Sequence, residues 1–284
     1  MTCDTNALVS LVTGHWSLIT GHWSLITGHW SLITKKKQTL QQFFNYSLAE
    51  RLDTITFDGA STVVNCLNPH SFVKALDDDE FRQALEHSSV LLPDGEGICM
   101  ALKRLGGKRI AKIAGDDLHG YLLGRLDELS VKRGTPAKAY YMGSNPKVLE
   151  RIEERLRREH PGLEVRCWSP SYCDELPREE SLRIIDDINA FGPDVLFVSM
   201  TAPKQEKWVE RHRALLTAPR VIASIGAVFD FYAGTVKRAP GWAVKMKLEW
   251  LFRLAKEPRK MWERNFVSTP RYLMWVWKHR REMK

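Results

Sequence analysis

Several features that define common protein classes are missing from this chain of 284 residues. Its five cysteines are odd in number, scattered and without a CxxC pair, so neither a disulfide framework nor a zinc site is predicted, and a reducing compartment is favoured. No GxGxxG follows a strand-like segment and no Walker A motif occurs, which argues against a dinucleotide oxidoreductase and a P-loop enzyme. After residue 35, no window of about 18 uncharged apolar residues predicts a membrane-spanning helix.

The composition predicts one substantial hydrophobic core with room for an appendage. The chain is 44% hydrophobic, and its length hardly allows two full domains. The net charge is +8, and much of the excess lies after residue 230. Because the positive charge is local, it favours a local anionic partner over a protein that coats nucleic acid uniformly.

The N-terminal segment contains the unit TGHWSLI three times without a change, over residues 13–33. A seven-residue period can align Trp16, Trp23 and Trp30 on one helical face, as in an interfacial helix. Each unit also contains glycine and threonine, which weaken a helix. We therefore predict a dispensable or disordered leader over residues 1–47, with weak membrane adhesion as the alternative. The apolar residues are interrupted and the basic residues follow them, which is not typical of a signal peptide.

From residue 48 onward, strand-like and helix-like segments alternate. Strands are predicted at 61–67, 90–93, 138–143, 163–167, 194–199 and 221–225, and helices at 69–87, 98–105, 146–160, 179–191 and 204–216. This alternation predicts an α/β core over residues 48–235, with a mostly parallel sheet covered by helices on both faces. Ligands of such sheets bind beyond the carboxyl ends of the strands.

Three segments at or beyond these strand ends have unusual compositions. They are LLPDGEGI at 91–98, APKQEKW at 202–208, and residues 229–266, where cations alternate with aromatic residues. Such a mixture suits an anionic partner at an apolar boundary, for example a diphosphate, a lipid headgroup layer or nucleic acid. In this order, over roughly residues 65–266, the segments resemble the bacterial WecG/TagA/CpsF glycosyltransferases (glycosyltransferase family 26). The resemblance implies a Rossmann-like core followed by a C-terminal helical appendage.

Asp94 is the candidate catalytic residue. From the residues alone, a carboxylate at a strand end before Gly95 either faces a substrate or caps the following helix. The resemblance implies that Asp94 is the general base and that Gly95 belongs to the same substrate-binding turn. On the preceding strand end, Asn68 is predicted either to hold a sugar hydroxyl or amide or to cap a helix. Cys66 stands where some relatives have threonine.

Two further turns resemble the family's binding segments. Asp117 lies in a Gly-x-Asp-Leu motif, and its substrate-binding role competes with ordinary helix capping. Gly143 and Ser144 close a strand and precede a helix, whose first backbone N–H groups are predicted to receive a diphosphate.

The APKQEKW segment matches the family's Gly-x-Pro-x-Gln-Glu motif. The resemblance implies that Lys204 attracts phosphate, that Gln205 binds the uracil, ribose or sugar through its amide, and that Glu206 belongs to the same site. Capping by Gln205 and Glu206 is the alternative. Thr201 and Ala202 stand where relatives often have glycine.

No metal ion and no other cofactor are expected. The three aspartates at 77–79 imitate a metal-binding DxD motif, but they lie within a helical pattern and are interpreted as a solvated acidic turn. The resemblance implies a UDP-sugar donor, whose UDP leaves as an anion. Without a metal ion, this leaving group needs cationic side chains, and the candidates are Arg238, Arg253 and Arg259.

Residues 236–284 are predicted to form an appendage that closes over the site and touches the bilayer. Its last part, residues 271–284, places aromatic residues beside basic ones, which favours an anionic membrane surface without a membrane span. The alternative is a helix docked on the core of its own chain or on a second subunit, so a homo-oligomer is possible.

The resemblance implies an inverting glycosyltransferase at the cytoplasmic face of a bacterial cell membrane. It would transfer a sugar from a UDP-sugar donor to a polyprenyl-diphosphate-linked saccharide in cell-surface or exopolysaccharide biosynthesis. The sugar would be N-acetylmannosamine, its uronic acid, glucuronic acid or another hexose. The alternatives are a catalytically idle membrane-bound partner, a soluble enzyme with a small acceptor, and a basic nucleic-acid-binding protein. The last does not explain Asp94 or the PKQE turn, and no nucleic acid is expected.

Overall fold

The computed structural model describes residues 40–105, 107–236 and 262–281, and these contain an eight-stranded sheet. The strands are β1 (Leu40–Phe43), β2 (Tyr46–Ala49), β3 (Thr62–Leu67), β4 (Val90–Pro93), β5 (Ala137–Gly143), β6 (Leu163–Trp168), β7 (Val195–Ser199) and β8 (Val221–Ser224). Their order in the sheet is β1-β2-β4-β3-β8-β7-β5-β6, and from β2 onward every neighbouring pair is parallel. The predicted parallel α/β fold is thereby confirmed.

Helices connect most of the strands. They are α1 (Pro69–Asp77), α2 (Asp79–Glu86), α3 (Glu96–Arg104), α4 (Gly115–Arg133), α5 (Pro146–Glu159), α6 (Arg178–Phe191), α7 (Lys204–His212), α8 (Val228–Tyr232) and α9 (Thr269–His279). A 3₁₀ helix spans Leu52–Thr54, and a π-helical segment, Glu263–Ser268, leads into α9. No helix among the described residues is long and apolar enough to cross a membrane.

Strand β5 shows that helices cover both faces of the sheet. The Tyr140 hydroxyl donates a hydrogen bond of 2.6 Å to Asp187 of α6. The hydroxyl of the next residue, Tyr141, lies 2.8 Å from Nε2 of His119 in α4. Because successive strand residues point to opposite faces, α6 and α4 lie on opposite sides of β5. All five residues of β7 are buried, as expected for a strand covered on both faces.

The segment predicted as one helix over residues 69–87 forms two. Asp78 leaves the helical conformation, with φ −131° and ψ 98°, and its carboxylate accepts a hydrogen bond of 3.0 Å from the Phe81 N–H. This bond satisfies one of the N–H groups that the first turn of α2 leaves unpaired. The helical periodicity continues across the break, so the sequence pattern does not reveal it.

The sheet begins before residue 48, where a leader is predicted from the sequence. Strand β2 pairs in parallel with β4, with Leu48 opposite Leu91. Phe43 and Leu48 are fully buried. A strand of four residues carries too short a pattern to be recognised, and it is stabilised by its neighbour and by burial instead of by local propensity.

Candidate active site

The carboxyl ends of the parallel strands gather the predicted site residues along one edge of the sheet. Leu67 at the end of β3 lies opposite Pro93 at the end of β4. The Asp94 N–H donates a hydrogen bond of 2.8 Å to the Leu67 carbonyl. Asn68 and Asp94 therefore follow neighbouring strand ends and lie side by side. The PKQE turn follows β7, which is separated from β3 by the single strand β8.

Asp94 starts a turn that glycine makes possible. Gly95 has φ +111°, a conformation that other residues rarely adopt. It occupies the N-cap position of α3, where glycine has no side chain that could cap the helix. Asp94 directly follows β4, and its side chain is partly buried. Both interpretations of Asp94, as a substrate-facing carboxylate and as a helix cap, stay predictions.

Asn68 is used in the start of α1. Its Oδ1 accepts hydrogen bonds of 3.0 Å from the N–H groups of His70 and Ser71, and the Ser71 hydroxyl accepts one of 2.8 Å from the Asn68 N–H. This is a complete capping box, so the capping interpretation of Asn68 is confirmed. A contact with sugar through the Asn68 amide nitrogen stays a prediction.

Asp117 also has a structural partner. Its Oδ2 accepts a hydrogen bond of 2.8 Å from the Ala114 N–H at the start of α4. Gly115 allows this helix end to approach the residue after β8 closely, because a Cβ there would lie 3.1 Å from the Ile225 carbonyl oxygen. Asp117 remains solvent-exposed.

Gln205 joins the ends of β7 and β8. Its Oε1 accepts hydrogen bonds from the N–H groups of Met200 at 3.1 Å and Gly226 at 3.2 Å. Its Nε2 donates a hydrogen bond of 2.8 Å to Glu206 Oε1. The Gln205 amide, for which the resemblance implies a contact with the donor, thus has protein partners at both its oxygen and its nitrogen, and it connects the ends of the two strands.

Glu206 is a buried carboxyl group that forms no ion pair within the described residues. It is 3% exposed, and its Oε2 has no hydrogen-bond partner in the part of the chain that the structure describes. Burial raises the pKa of Glu206 to about 7, although the bond from Gln205 acts in the opposite direction. Glu206 therefore changes its charge near neutral pH.

Cys66 marks the meeting point of three predicted site residues. Burial raises the pKa of its thiol well above the ordinary value, and the carboxylates of Asp94, Glu206 and Asp117 raise it further. Three carboxyl groups, one directly after β4 and two in the first turns of α7 and α4, thus act on the Cys66 thiol. This arrangement makes Cys66 a poor nucleophile, since the thiolate is disfavoured.

Two N–H groups of the β5–α5 turn have partners within the protein, and binding of a diphosphate at this turn stays a prediction. The Ser144 N–H donates a hydrogen bond of 3.2 Å to the Ser199 carbonyl, and the Val148 N–H donates one of 3.1 Å to Asn145 Oδ1. Lys204 is also engaged, because its Nζ donates a hydrogen bond of 2.6 Å to the Cys173 carbonyl. The Lys204 ammonium group has further N–H donors, so its attraction of phosphate stays a prediction.

The aspartates at 77–79 each contact a different cation. Asp77 pairs with Arg271, Asp78 lies 2.9 Å from Lys207, and Asp79 lies 2.8 Å from Arg82. Within the described residues, no group of three His, Cys, Asp or Glu side chains is arranged to hold a metal ion. Arg238, Arg253 and Arg259 lie outside the described residues, as do the TGHWSLI units.

Comparison with known proteins gives the family that the motifs indicate. The model of the Glycosyl transferase WecG/TagA/CpsF family matches residues 40–284. This chain belongs to that family. The matched region begins at β1, so both the family match and the sheet begin before residue 48.

Three relatives share the name N-acetylglucosaminyldiphosphoundecaprenol N-acetyl-beta-D-mannosaminyltransferase. The protein of Bacillus spizizenii is 30% identical over 237 residues, covering 83% of this chain and 86% of the relative. That of Bacillus subtilis is 28% identical over 223 residues, covering 78% and 81%. That of Staphylococcus aureus is 25% identical over 250 residues, covering 85% and 92%.

In this member of the WecG/TagA/CpsF family, helix α9 packs on the core of its own chain. Tyr272 is 1% exposed, and Trp275 contacts Phe72 and Phe44 with ring centroids 4.9 Å and 4.6 Å apart. The alternative prediction, a helix docked on the core of its own chain, is therefore confirmed for the side of α9 that carries Tyr272 and Trp275. Sequence periodicity missed this contact because the partners lie about 200 residues away.

The opposite side of α9 and its π-helical lead remain exposed. The exposed apolar side chains there are Trp262, Phe266, Val267, Leu273, Met274 and Trp277, each more than half exposed. Basic residues at 278, 280 and 281 follow them. We call this set of six apolar side chains the α9 apolar face.

Proposed function

We propose that this chain is an inverting, metal-independent glycosyltransferase that uses a UDP-sugar and a polyprenyl-diphosphate-linked saccharide. The observation that carries the proposal is the position of Asp94, directly after β4 and beside the end of β3, in a chain of this glycosyltransferase family. Three relatives are named for transfer of N-acetylmannosamine to N-acetylglucosaminyl-diphosphoundecaprenol, so these are the first donor sugar and acceptor to test.

In the proposed reaction, Asp94 accepts the proton of the acceptor hydroxyl while that oxygen attacks the anomeric carbon. The new C–O bond forms as the bond between the anomeric carbon and the UDP oxygen breaks, and UDP leaves with the bonding electrons. A single displacement from the opposite side inverts the anomeric configuration. Asp94 is suited to act as the general base because it lies at the same edge of the sheet as Asn68 and Gln205.

The departing diphosphate needs positive charge. Arg238, Arg253 and Arg259 are the proposed source, because guanidinium groups form charge-assisted bonds with phosphate oxygens. Metal independence is supported by the ion pairs that already engage Asp77, Asp78 and Asp79.

The proposed location is the cytoplasmic face of the cell membrane, and the α9 apolar face supports attachment to an anionic membrane surface. Tryptophan and leucine side chains enter the headgroup boundary, while the basic residues at the end of α9 favour anionic lipid. The lipid-linked acceptor would then reach the enzyme from the same surface.

The proposal is tested with purified full-length protein, UDP-N-acetylmannosamine and a diphosphoprenyl-linked N-acetylglucosamine. We expect UDP release that depends on the acceptor, together with a disaccharide product whose new bond has the inverted configuration by NMR. Asp94→Asn is the matched control. Release with only another UDP-hexose would contradict the sugar assignment, and no release with any UDP-hexose would favour the catalytically idle partner.

A further inference from the structure

The hydroxyl of Tyr272 reaches the turn that carries Asp94. Tyr272 lies in the first half of α9, and its hydroxyl donates a hydrogen bond of 3.2 Å to the carbonyl oxygen of Gly97. Gly97 follows Asp94 by three residues and lies in the first turn of α3. The C-terminal helix thus contacts the backbone of the candidate catalytic turn.

The Tyr272 ring is fixed by the hydrophobic core. It packs edge-on against Phe72, with centroids 5.5 Å apart and planes at 82°. It belongs to the same buried cluster as Ile98 and Leu102 of α3. A phenol hydroxyl in such a place needs a hydrogen-bond partner, and the Gly97 carbonyl supplies one.

Pro69 bounds the turn as well. A Cβ at Gly97 would lie 2.7 Å from Pro69 Cγ and 3.7 Å from Tyr272 Cε1. At Gly95, a Cβ would lie 3.4 Å from Pro69 Cδ. The turn is therefore packed closely against the start of α1 and, at Gly97, against α9.

Helix α9 is itself held by polar contacts to α1. Arg271 and Asp77 form a two-pronged ion pair, one bond of which measures 2.6 Å. The Ser268 hydroxyl lies 2.7 Å from His70 Nδ1. Because these contacts fix both α9 and its lead, Tyr272 is a stable support for the turn.

We propose that Tyr272 is a positioning residue, which holds the Asp94–Gly97 turn in place through the Gly97 carbonyl. The inference rests on the proposed role of Asp94 as general base. Glycine gives this turn conformational freedom, whereas a general base must stay within hydrogen-bond reach of the proton that it accepts. The bond from Tyr272 limits that freedom without contacting substrate.

Tyr272→Phe removes the hydroxyl and keeps the packed ring. We expect kcat to fall by about tenfold, the rate equivalent of one ordinary hydrogen bond. The KM values for donor and acceptor should stay within about twofold, since binding is not affected directly. Tyr46→Phe is the matched control, because Tyr46 is buried against the same Phe72 ring. It should keep the wild-type kcat.

Two measurements separate positioning from general stabilisation. The first is amide hydrogen exchange at Ile98, whose N–H donates a hydrogen bond of 3.2 Å to the Gly95 carbonyl. The exchange rate of this amide should rise in Tyr272→Phe and stay unchanged in Tyr46→Phe. In an Asp94→Asn background, adding Tyr272→Phe should cause no further loss of rate, because it acts through Asp94.

The outcomes distinguish this inference from the proposed function. Full kcat in Tyr272→Phe, alongside an inactive Asp94→Asn, would overturn only the role of Tyr272. A tenfold loss in both tyrosine variants, or additive losses in the double variant, would reduce Tyr272 to a stabilising residue. An active Asp94→Asn would instead overturn the assignment of the general base.

Discussion

Gly143 and the Ser199 carbonyl approach so closely that only glycine fits. Gly143 ends β5 with φ +128°, and a Cβ there would lie 2.0 Å from the Ser199 oxygen. The next residue, Ser144, donates its N–H to the same oxygen at 3.2 Å. The residues that the sequence predicts as a diphosphate-binding turn thus also form a close backbone contact between β5 and β7.

Gly143→Ala should therefore destabilise the protein by at least about 2 kcal/mol, from the strained φ and the displaced Ser199 carbonyl. Urea unfolding measures the change. Gly120→Ala is the matched control, because its Cβ would meet nothing within 4 Å in the middle of α4. It should stabilise the helix by about 0.5–1 kcal/mol. Equal effects of the two substitutions on stability would contradict the close approach of Gly143 to the Ser199 carbonyl.

Asp94→Asn should lower turnover by about a hundredfold or more, as expected for a lost general base. The amide keeps the size of the carboxyl group, so the fold and the thermal stabilisation by UDP should be nearly unchanged. Asp79→Asn serves as the control, because Asp79 is exposed and pairs with Arg82. Retention of most of the activity in Asp94→Asn would remove this residue from the mechanism.

Activity should survive excess EDTA with little change. The three aspartates that imitate a DxD motif are engaged by Arg271, Lys207 and Arg82, and we assign phosphate neutralisation to arginines. Initial rates with and without EDTA test this. A loss that manganese or magnesium restores would mean that a metal ion performs the role given to the arginines.

Glu206 should make the protein less stable as pH rises from about 4.5 to about 7. In this window the unfolded chain has released the Glu206 proton, while the folded chain keeps it because its pKa is raised to about 7. The unfolded state then binds fewer protons, so stability falls with pH, by about 3 kcal/mol for this group.

Glu206→Gln should remove this dependence, because its amide oxygen can still accept the bond from Gln205. The free energy of unfolding, measured between pH 4.5 and 7.5, should rise relative to wild type as pH increases. Parallel pH curves for the two proteins would show that Glu206 does not titrate in this range.

The double substitution Leu273→Ser with Trp277→Ser should weaken sedimentation with phosphatidylglycerol vesicles and leave unfolding nearly unchanged. Both side chains are more than half exposed on the α9 apolar face. Trp275→Ala is the contrasting variant, because Trp275 packs on Phe72, and its loss should cost about 2 kcal/mol or more.

High salt should weaken vesicle attachment of the full-length chain without abolishing it, since burial of tryptophan is not screened. If the wild-type protein does not sediment with phosphatidylglycerol vesicles at low salt, the membrane proposal is contradicted. Self-association through the α9 apolar face would then be the better account. Removing α9 entirely is a poor test, because Tyr272 belongs to the core.

The amino-acid sequence by itself determined the parallel α/β core and the strand ends at which its motifs lie. Strands such as β4 and β7 are short apolar segments between helical patterns, and α5 has its cap, Asn145, and its proline, Pro146, directly before its amphipathic face. These signals are local, because they depend on neighbours within a few residues. Asp94 at the end of β4 followed from the same local pattern together with the family motif.

Only the tertiary structure decided which polar groups are engaged and which surfaces are covered. Gln205 bonds to Gly226, Asp77 to Arg271, and Tyr272 to Gly97, between residues 21, 194 and 175 positions apart. No periodicity or motif encodes such pairs, because each depends on how distant elements pack. The same physical reason explains why α9 buries one tyrosine in the core and leaves its neighbouring Leu273 exposed to solvent.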